Sequence, residues 1–372
     1  MHIAAVGHNS KTTTDFDTYQ IPNYMRKLAL IIFIGLIVLK GNAQNKQIYN
    51  FEPDIRIFTA YAFLNAGGFD HDWLKMDTMR VEIRKFVDSV LQDNFKQKIK
   101  DYTKRTKLDW YACGAYALNL DNAPTFKWIC DSCNLDLKNN FIGLDTLYRQ
   151  FYEKAKIKEL WNKYKKTIDS INYSYQPYAQ RAIDDIVSFT KIDKDYYSKY
   201  SDNIHFLVCP LMSHWTAFNH RANNTLYLVQ GPGQGEPGPG AFYHEALHPP
   251  ISPIIDKYKD LTINLGKLND CAQEKLKGNY PDIIALLNES FVRTIDKYLV
   301  GQYYKMDSVK TRKMVEDEYK LGFIFSLYIY ENIPKYIENK KPLSEYYPIL
   351  MTNLNIDKEI ERWKQFPKDD KK

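Results

Sequence analysis

The sequence predicts a mostly helical α+β protein, and three observations lead to this fold class. Apolar residues recur every three or four positions through most of the chain. Two short runs rich in β-forming residues, 204–211 and 225–230, interrupt this pattern. A segment rich in glycine and proline, 231–240, separates the second run from the next helical pattern. The 372 residues, 44% of them hydrophobic, are enough for two or three ordinary domains.

The N-terminal segment predicts export. Residues 25–43 combine a basic start, a short apolar run and the small residues Gly41 and Ala43 before a cleavage site, which is typical of a secretory signal peptide. The polar residues 1–24 indicate a misassigned start. No cysteine follows the apolar run, so no lipid anchor is expected. The prediction is a secreted or periplasmic protein without a stable membrane anchor; the alternative is an uncleaved N-terminal anchor.

Residues 44–202 predict a helical N-terminal region. Its helices are expected at 51–64, 73–102, 144–171 and 178–189, from the spacing of their apolar positions. A loop-rich segment separates the second helix from the third. We therefore expect residues 44–202 to be mostly helical.

Cysteine usage agrees with an oxidising compartment. The chain has five cysteines, and Cys130 and Cys133 form a C-x-x-C pair. With no second such pair and no nearby histidine, a zinc knuckle is poorly supported. The pair predicts a local disulfide or free thiols, and the odd total leaves at least one thiol without an internal partner.

The two β-rich runs predict a small antiparallel sheet beside one helix. Asn223-Asn224 marks a turn before the second run. After the glycine-rich segment, 241–248 is expected to be helical. Residues 251–268 are expected to be irregular or helical.

The C-terminal third predicts further helices. The strongest pattern covers 281–300, where apolar residues recur by three or four. Another helix is expected at 321–337, broken near Pro334. Residues 346–372 predict a last helix followed by a charged tail.

The charge pattern argues against a nucleic-acid partner. The net charge is +6 with a pI near 8.7, which is mild for this length. Lysines alternate with acidic residues instead of forming a basic stripe. Solvated helix faces account for this distribution.

The pentapeptide His244-Glu245-Ala246-Leu247-His248 is the most informative motif. Residues four apart lie on one face of a helix, so both imidazoles can reach one metal ion. Glu245 lies to the side, near a water bound to that metal. Catalytic zinc usually has three protein ligands. No histidine follows His248, so the third must be a carboxylate or an upstream histidine.

Several carboxylates are candidates for the third ligand. Glu289 lies mid-way along the predicted 281–300 helix and can face back toward the first helix. Arg293, four residues later, can pair with it or orient it. The competing acids are Asp256, Asp260, Asp270, Glu274, Asp282 and Asp296.

The segment from Leu287 to Ile295, together with the pentapeptide, resembles the gluzincins, the thermolysin-like zinc metallopeptidases. It also resembles secreted bacterial H-E-x-x-H domains of unknown function. The resemblance implies a zincin-like catalytic domain over 203–345, with Zn²⁺ held by His244, His248 and Glu289. It further implies Glu245 as the general base in hydrolysis of a protein or peptide substrate.

The oxyanion that forms during such hydrolysis needs a further donor. The residues alone leave five candidates: Tyr258, Tyr303, Tyr304, His214 and His220. An extended substrate is expected to pair with an edge strand, at 205–211 or 225–230.

Pro249-Pro250 departs from the pattern of such helices. Proline removes a helical N–H donor and restricts the residue before it, so the helix is expected to end at His248. That expectation leaves an alternative function open. It is a non-catalytic secreted protein that binds peptide or glycan on a degenerate zincin scaffold.

Overall fold

The structure is a computed structural model that describes residues 49–69, 78–130, 132–214, 216–233, 236–276, 278, 280 and 282–366. These residues form one compact unit. The predicted signal peptide lies outside the described residues. None of the described helices combines the length and the apolar character needed to cross a membrane.

The helical region predicted before the sheet is present. Its helices are α1 (Ile55–Ala66), α2 (Thr78–Val90), α3 (Asp93–Thr106), α4 (Trp110–Leu118), α5 (Leu135–Asn140), α6 (Leu144–Lys154), α7 (Ile157–Thr190) and α8 (Tyr196–Tyr200).

The boundaries of four of these helices differ from the prediction. The helix expected over 73–102 is two helices, α2 and α3, separated at Leu91–Gln92. The helices expected at 144–171 and 178–189 are divided instead at 155–156. Helix α7 then runs for 34 residues straight through Pro177. The buried residues before and after the proline recur at the same helical spacing. Packing of this continuous face outweighs the tendency of proline to break a helix.

The sheet has four strands in the order β1-β2-β4-β3. They are β1 (Tyr49–Asn50), β2 (Asn203–Val208), β3 (Ala217–Ala222) and β4 (Thr225–Gln230). The predicted antiparallel pairing of the two apolar runs is wrong, because β2 and β4 pair in parallel. Only β3, which the sequence reasoning missed, is antiparallel to β4.

The turn signal at Asn223-Asn224 explains the error. Both residues have positive φ, 45° and 58°, as the two-residue turn of a tight hairpin requires. The strand that enters this turn is β3, whose sequence alternates polar and apolar residues. The more apolar β2 precedes β3. The chain reverses direction between β2 and β3 and again between β3 and β4, so β2 and β4 run parallel.

Both faces of the sheet are covered, which explains the apolar runs of β2 and β4. One core packs Phe206 and Leu228 against the later helices. A second core packs Leu207 and Val229 against the N-terminal helices. Helix α7 contributes to both cores. The N-terminal helices and the sheet therefore share a core, and the predicted division at residue 203 stays a prediction.

The later helices carry the candidate site. They are α9 (Gly240–Lys257), α10 (Gly266–Leu276), α11 (Ile283–Tyr303), α12 (Ser308–Lys320), α13 (Ser326–Asn339), α14 (Leu343–Thr352) and α15 (Ile356–Gln365), with a 3-10 helix at Lys259–Leu265. The predicted helix over 281–300 is confirmed as α11. The break expected at Pro334 is absent, since α13 continues through it.

The C-x-x-C pair lies in the loop between α4 and α5. Cys130 and Cys133 form a disulfide, which is one of the two predicted outcomes. Cys113, Cys209 and Cys271 are not in disulfides.

Candidate metal centre

Helix α9 does not end at His248, contrary to the prediction. It continues for more than two turns through Pro249, Pro250 and Pro253 to Lys257. Each proline lacks the N–H that would bond the carbonyl four residues earlier. The hydroxyls of α8 replace two of these bonds.

The replacement is specific to each carbonyl. Tyr197 Oη donates to the Ala246 carbonyl at 2.5 Å, which Pro250 leaves without its helical donor. Tyr196 Oη donates to the Pro249 carbonyl at 2.7 Å, which Pro253 leaves without one. Two of the three carbonyls that lose their helical donor around the second histidine are therefore bonded.

Helix α11 packs against α9 and brings Glu289 to the two histidines. One ligand atom from each of His244, His248 and Glu289 lies within 4.8 Å of the others. His244 Nε2 is 3.5 Å from Glu289 Oε1, and His248 Nε2 is 3.9 Å from Glu289 Oε2. Ligand atoms about 2.1 Å from a tetrahedral zinc lie roughly 3.4 Å apart. The two histidine–carboxylate distances are close to this value, so the group could hold a metal ion.

The other ring nitrogen of each histidine is fixed by α11. His244 Nδ1 is 3.1 Å from Asp296 Oδ2, and His248 Nδ1 donates to Asn288 Oδ1 at 2.8 Å. The Asn288 amide donates in turn to Ser252 Oγ at 2.6 Å, which sets its orientation. Both imidazoles are thus held with Nε2 facing Glu289, the tautomer that metal binding needs.

Charged neighbours determine how these groups titrate. Burial opposes protonation of His244, yet hydrogen bonding to Asp296 and three nearby carboxylates together raise its pKa. Burial alone would raise the pKa of Glu289, but the neighbouring cations, His244 first and then Arg293, lower it. Arg293 Nε donates to Glu289 Oε1 at 2.6 Å, the contact expected from their spacing of four.

Glu245 lies beside this group and is held from the sheet. Asn219 Nδ2, on β3, donates to Glu245 Oε2 at 2.8 Å. The Glu245 side chain is buried yet lines the cavity that His244 and His248 line. One carboxylate oxygen is thus committed to the sheet while the residue faces the metal group.

A cavity of about 730 Å³ holds the site. Its metal side is lined by α9 and α11, and Tyr280 closes one part of it. Its opposite side is lined by β3 and by Trp110 and Tyr111, at the start of α4. Burial and the charges of Glu289 and Glu245 contribute to a raised pKa of Tyr280, so its phenol stays protonated at neutral pH. Through Trp110 and Tyr111, the N-terminal region supplies one wall of the cavity.

Four of the five predicted oxyanion donors lie outside this cavity. Tyr303 and Tyr304 pack against each other, with ring centroids 4.8 Å apart. Tyr258 stacks on Tyr347, and His220 is buried beside Asn119. Of the five, only His214 is among the residues that line the cavity.

Several site residues were missed by the sequence reasoning. Asp296 was considered only as a metal ligand. Its spacing of seven from Glu289 places it on the same helix face, which could have suggested a hydrogen-bond partner for His244. Asn288 was noticed only as the residue before Glu289. No local signal connects Asn219, Tyr280 or Trp110 to the motif, because the fold brings them there.

Comparisons with protein-family models, with curated proteins and with solved structures found no match to this chain. The function is therefore inferred from the geometry of the site.

Proposed function

We propose that the protein is a secreted or periplasmic zinc-dependent peptidase of gluzincin type. The observation that carries this proposal is the group formed by His244, His248 and Glu289, with Glu245 beside it in one cavity. Two imidazoles, one carboxylate and an open side are the donor set of a catalytic zinc. The disulfide between Cys130 and Cys133 supports an oxidising compartment.

The charges around the donor group support a divalent cation. The described charged groups that line or adjoin this part of the cavity are four carboxylates and two cations: Glu245, Glu289, Asp296, Glu318, Arg293 and Lys297. With the carboxylates ionised and both imidazoles uncharged, as metal binding requires, two negative charges are in excess. Because uncompensated charge is costly in a buried site, a dication suits this environment better than an empty pocket.

Glu245 is the proposed general base. A zinc ion held by the three ligands would supply Lewis acidity, which activates a water and polarises a substrate carbonyl. Asn219 holds one oxygen of Glu245, so the other can accept the proton of the attacking water. Glu245 then passes that proton to the leaving amine.

Tyr280 is the proposed oxyanion donor. It lines the cavity near Glu289, and its phenol is kept protonated as a donor. Tyr111 also lines the cavity, and burial with the charges of Asp109 and Glu245 raises its pKa. Tyr280 is preferred because it lies on the metal side, whereas Tyr111 lies across β3.

Strand β3 is the proposed docking edge for an extended peptide. Gly231 N donates to the Thr216 carbonyl, so the alternating pattern turns the backbone groups of Ala217 and Asn219 away from β4. Both residues line the cavity. Of the edges predicted from sequence, 225–230 lies between β2 and β3, and 205–211 pairs with β4 on one side and with β1 only at its first residue.

The wall opposite the metal favours an apolar or aromatic substrate side chain. Trp110, Tyr111 and Phe218 pack edge to face, with ring centroids 5.7 to 6.4 Å apart. Tyr111 keeps 42% of its surface exposed. Aromatic surfaces that line a cavity bind apolar groups at low conformational cost.

The alternative, a non-catalytic binding protein, depended on Pro249 ending the helix. Since α9 continues to Lys257 with its carbonyls bonded by Tyr196 and Tyr197, that reason is removed.

The test compares wild type with Glu245→Gln, each with zinc content measured. We expect hydrolysis of unstructured peptides by wild type and a loss of 10²–10⁴-fold in Glu245→Gln. Zinc content should stay unchanged in the variant. Glu236→Gln, in the glycine-rich loop outside the residues that line the cavity, is the matched control. Equal hydrolysis by Glu245→Gln and wild type would exclude Glu245 as the base.

A further inference from the structure

Glu318, on α12, contacts two cations of the site at once. Its Oε2 accepts from Arg293 at 2.8 Å, and its Oε1 is 3.3 Å from Lys297 Nζ. Arg293 holds Glu289, and Lys297 Nζ donates to Asp296 Oδ1 at 2.9 Å. One carboxylate thus joins two arms: Arg293 leads to Glu289, and Lys297 leads to Asp296.

The two arms meet again at His244. Asp296 Oδ2 lies 3.1 Å from His244 Nδ1, and Glu289 Oε1 lies 3.5 Å from His244 Nε2. The contacts form a closed ring of ion pairs and hydrogen bonds. Glu318 is its point farthest from the metal group.

We propose that Glu318 is a positioning residue that sets the metal affinity of the site through both arms of this ring. The inference depends on the proposed zinc site. Glu318 does not line the cavity, so it acts through Arg293 and Lys297 and not by touching metal or substrate.

The first arm controls Glu289. A guanidinium can bind both oxygens of one carboxylate in a bidentate pair. Glu318 binds Nη1 of Arg293, and the centre of the Phe323 ring lies 4.2 Å from Arg293 Cζ, so the guanidinium is held in one orientation. These contacts leave Arg293 with Oε1 of Glu289, while Oε2 faces His248. Without Glu318, Arg293 is free to take both oxygens and compete with a metal.

The second arm controls His244. Lys297 is shared between Asp296 and Glu318. Without Glu318 the ammonium of Lys297 is no longer held in place, so Asp296, and with it the His244 imidazole, is less firmly oriented. Both arms therefore change metal binding in the same direction.

The placement of Glu318 is specific within α12. Glu316 and Asp317 pair on the surface with residues four positions earlier, Arg312 and Lys313. Glu318 is only 8% exposed. Helices α11 and α12 approach closely at Gly301, where a Cβ would lie 2.4 Å from Thr311 Oγ1.

The experiment measures the zinc dissociation constant by chelator competition at neutral pH, with the melting temperature of each metal-free protein. We expect Glu318→Gln to weaken binding by about 10-fold or more, as outer-shell substitutions do. Glu316→Gln, on the exposed face of the same helix, should bind like wild type. Glu318→Asp keeps the charge and should fall between the two.

The Lys297→Met variant distinguishes positioning of the metal ligands from a purely electrostatic effect of the lysine charge on zinc binding. Removing a positive charge should tighten zinc binding if only the local potential matters. If the ring positions the ligands, Lys297→Met should weaken binding by about 10-fold instead. Since it removes no carboxylate, it also serves if Glu318→Gln fails to fold.

The outcomes distinguish the two proposals. Wild type without measurable zinc binding overturns the metal site and this inference together. Wild-type affinity in Glu318→Gln overturns the inference alone. Tighter binding in Lys297→Met does the same, because it assigns the effect to charge.

Discussion

Each face of the sheet has two histidines among polar groups, and the faces differ in how those groups are paired. On the N-terminal face, Asp54 pairs with Arg56, and His205 bonds to the Glu52 carbonyl at 2.6 Å. His220 there bonds to Asn119 at 2.8 Å. The charges of Asp54 and Arg56 balance each other.

On the opposite face, His244 and His248 direct their Nε2 atoms at one carboxylate, and negative charge is in excess. The titration of the histidines shows the same difference. Burial lowers the pKa of His220 to about 4, whereas neighbouring acids raise the pKa of His244. A balanced polar network stabilises the fold, and an unbalanced one indicates a site for a ligand.

The largest effect on stability is expected at the balanced network. Asp54→Ala removes the N-cap of α1 and leaves buried Arg56 without its carboxylate. We expect a loss of about 3–5 kcal/mol in the free energy of unfolding, measured in urea. Zinc affinity should stay unchanged. Asp93→Ala, whose side chain is 98% exposed, is the control and should lose little.

On the unbalanced face, Tyr280→Phe is expected to reduce kcat by 10²–10³-fold with zinc content unchanged, because it removes one oxyanion donor. Tyr258→Phe, stacked on Tyr347 outside the cavity, is the control. If Tyr111→Phe produced the loss and Tyr280→Phe did not, the donor would lie across β3 instead.

A pH titration should separate the two faces further. His220 Nε2 accepts from Asn119, so protonation there removes an acceptor. Because its folded pKa of about 4 lies below the unfolded value of 6.5, the unfolded chain binds the extra proton in between. Stability should therefore fall as pH drops from 6.5 to 4, by roughly 3 kcal/mol from this group.

His220→Asn should flatten this decline in urea unfolding measured at several pH values. Burial also lowers the pKa of His205, so that residue adds a decline in the same direction. Parallel pH profiles for wild type and His220→Asn would assign the loss elsewhere.

The smallest effect is expected at the aromatic wall. Tyr111→Ala should reduce kcat/KM about tenfold for peptides with an aromatic residue beside the cleaved bond, and leave alanine-containing peptides unchanged. Tyr173→Ala, 59% exposed on α7, is the control. An equal loss for both peptides would argue against a side-chain subsite there.

Much of this site can be predicted from local patterns. The helical spacing of 244–248 and 281–300 places His244, His248 and Glu289 on faces that can meet, and the structure brings them together. The prediction for Pro249 was wrong because the replacement donors, Tyr196 and Tyr197, belong to another helix.

The sheet and the cavity walls could not be predicted in the same way. Strand β3 has an ordinary alternating sequence, and its edge position depends on which strands pair in parallel. Glu318 resembles its surface neighbours Glu316 and Asp317 in sequence. Only the packing of α12 on α11 distinguishes it.

Zinc stoichiometry decides whether the unbalanced face is a metal centre. After equilibration with zinc and removal of the excess, we predict one zinc per chain in wild type, and none in His244→Ala or Glu289→Ala. All three proteins should remain folded. A folded wild-type protein that retains no zinc, or a Glu289→Ala variant that retains one at wild-type affinity, would contradict the three-ligand site.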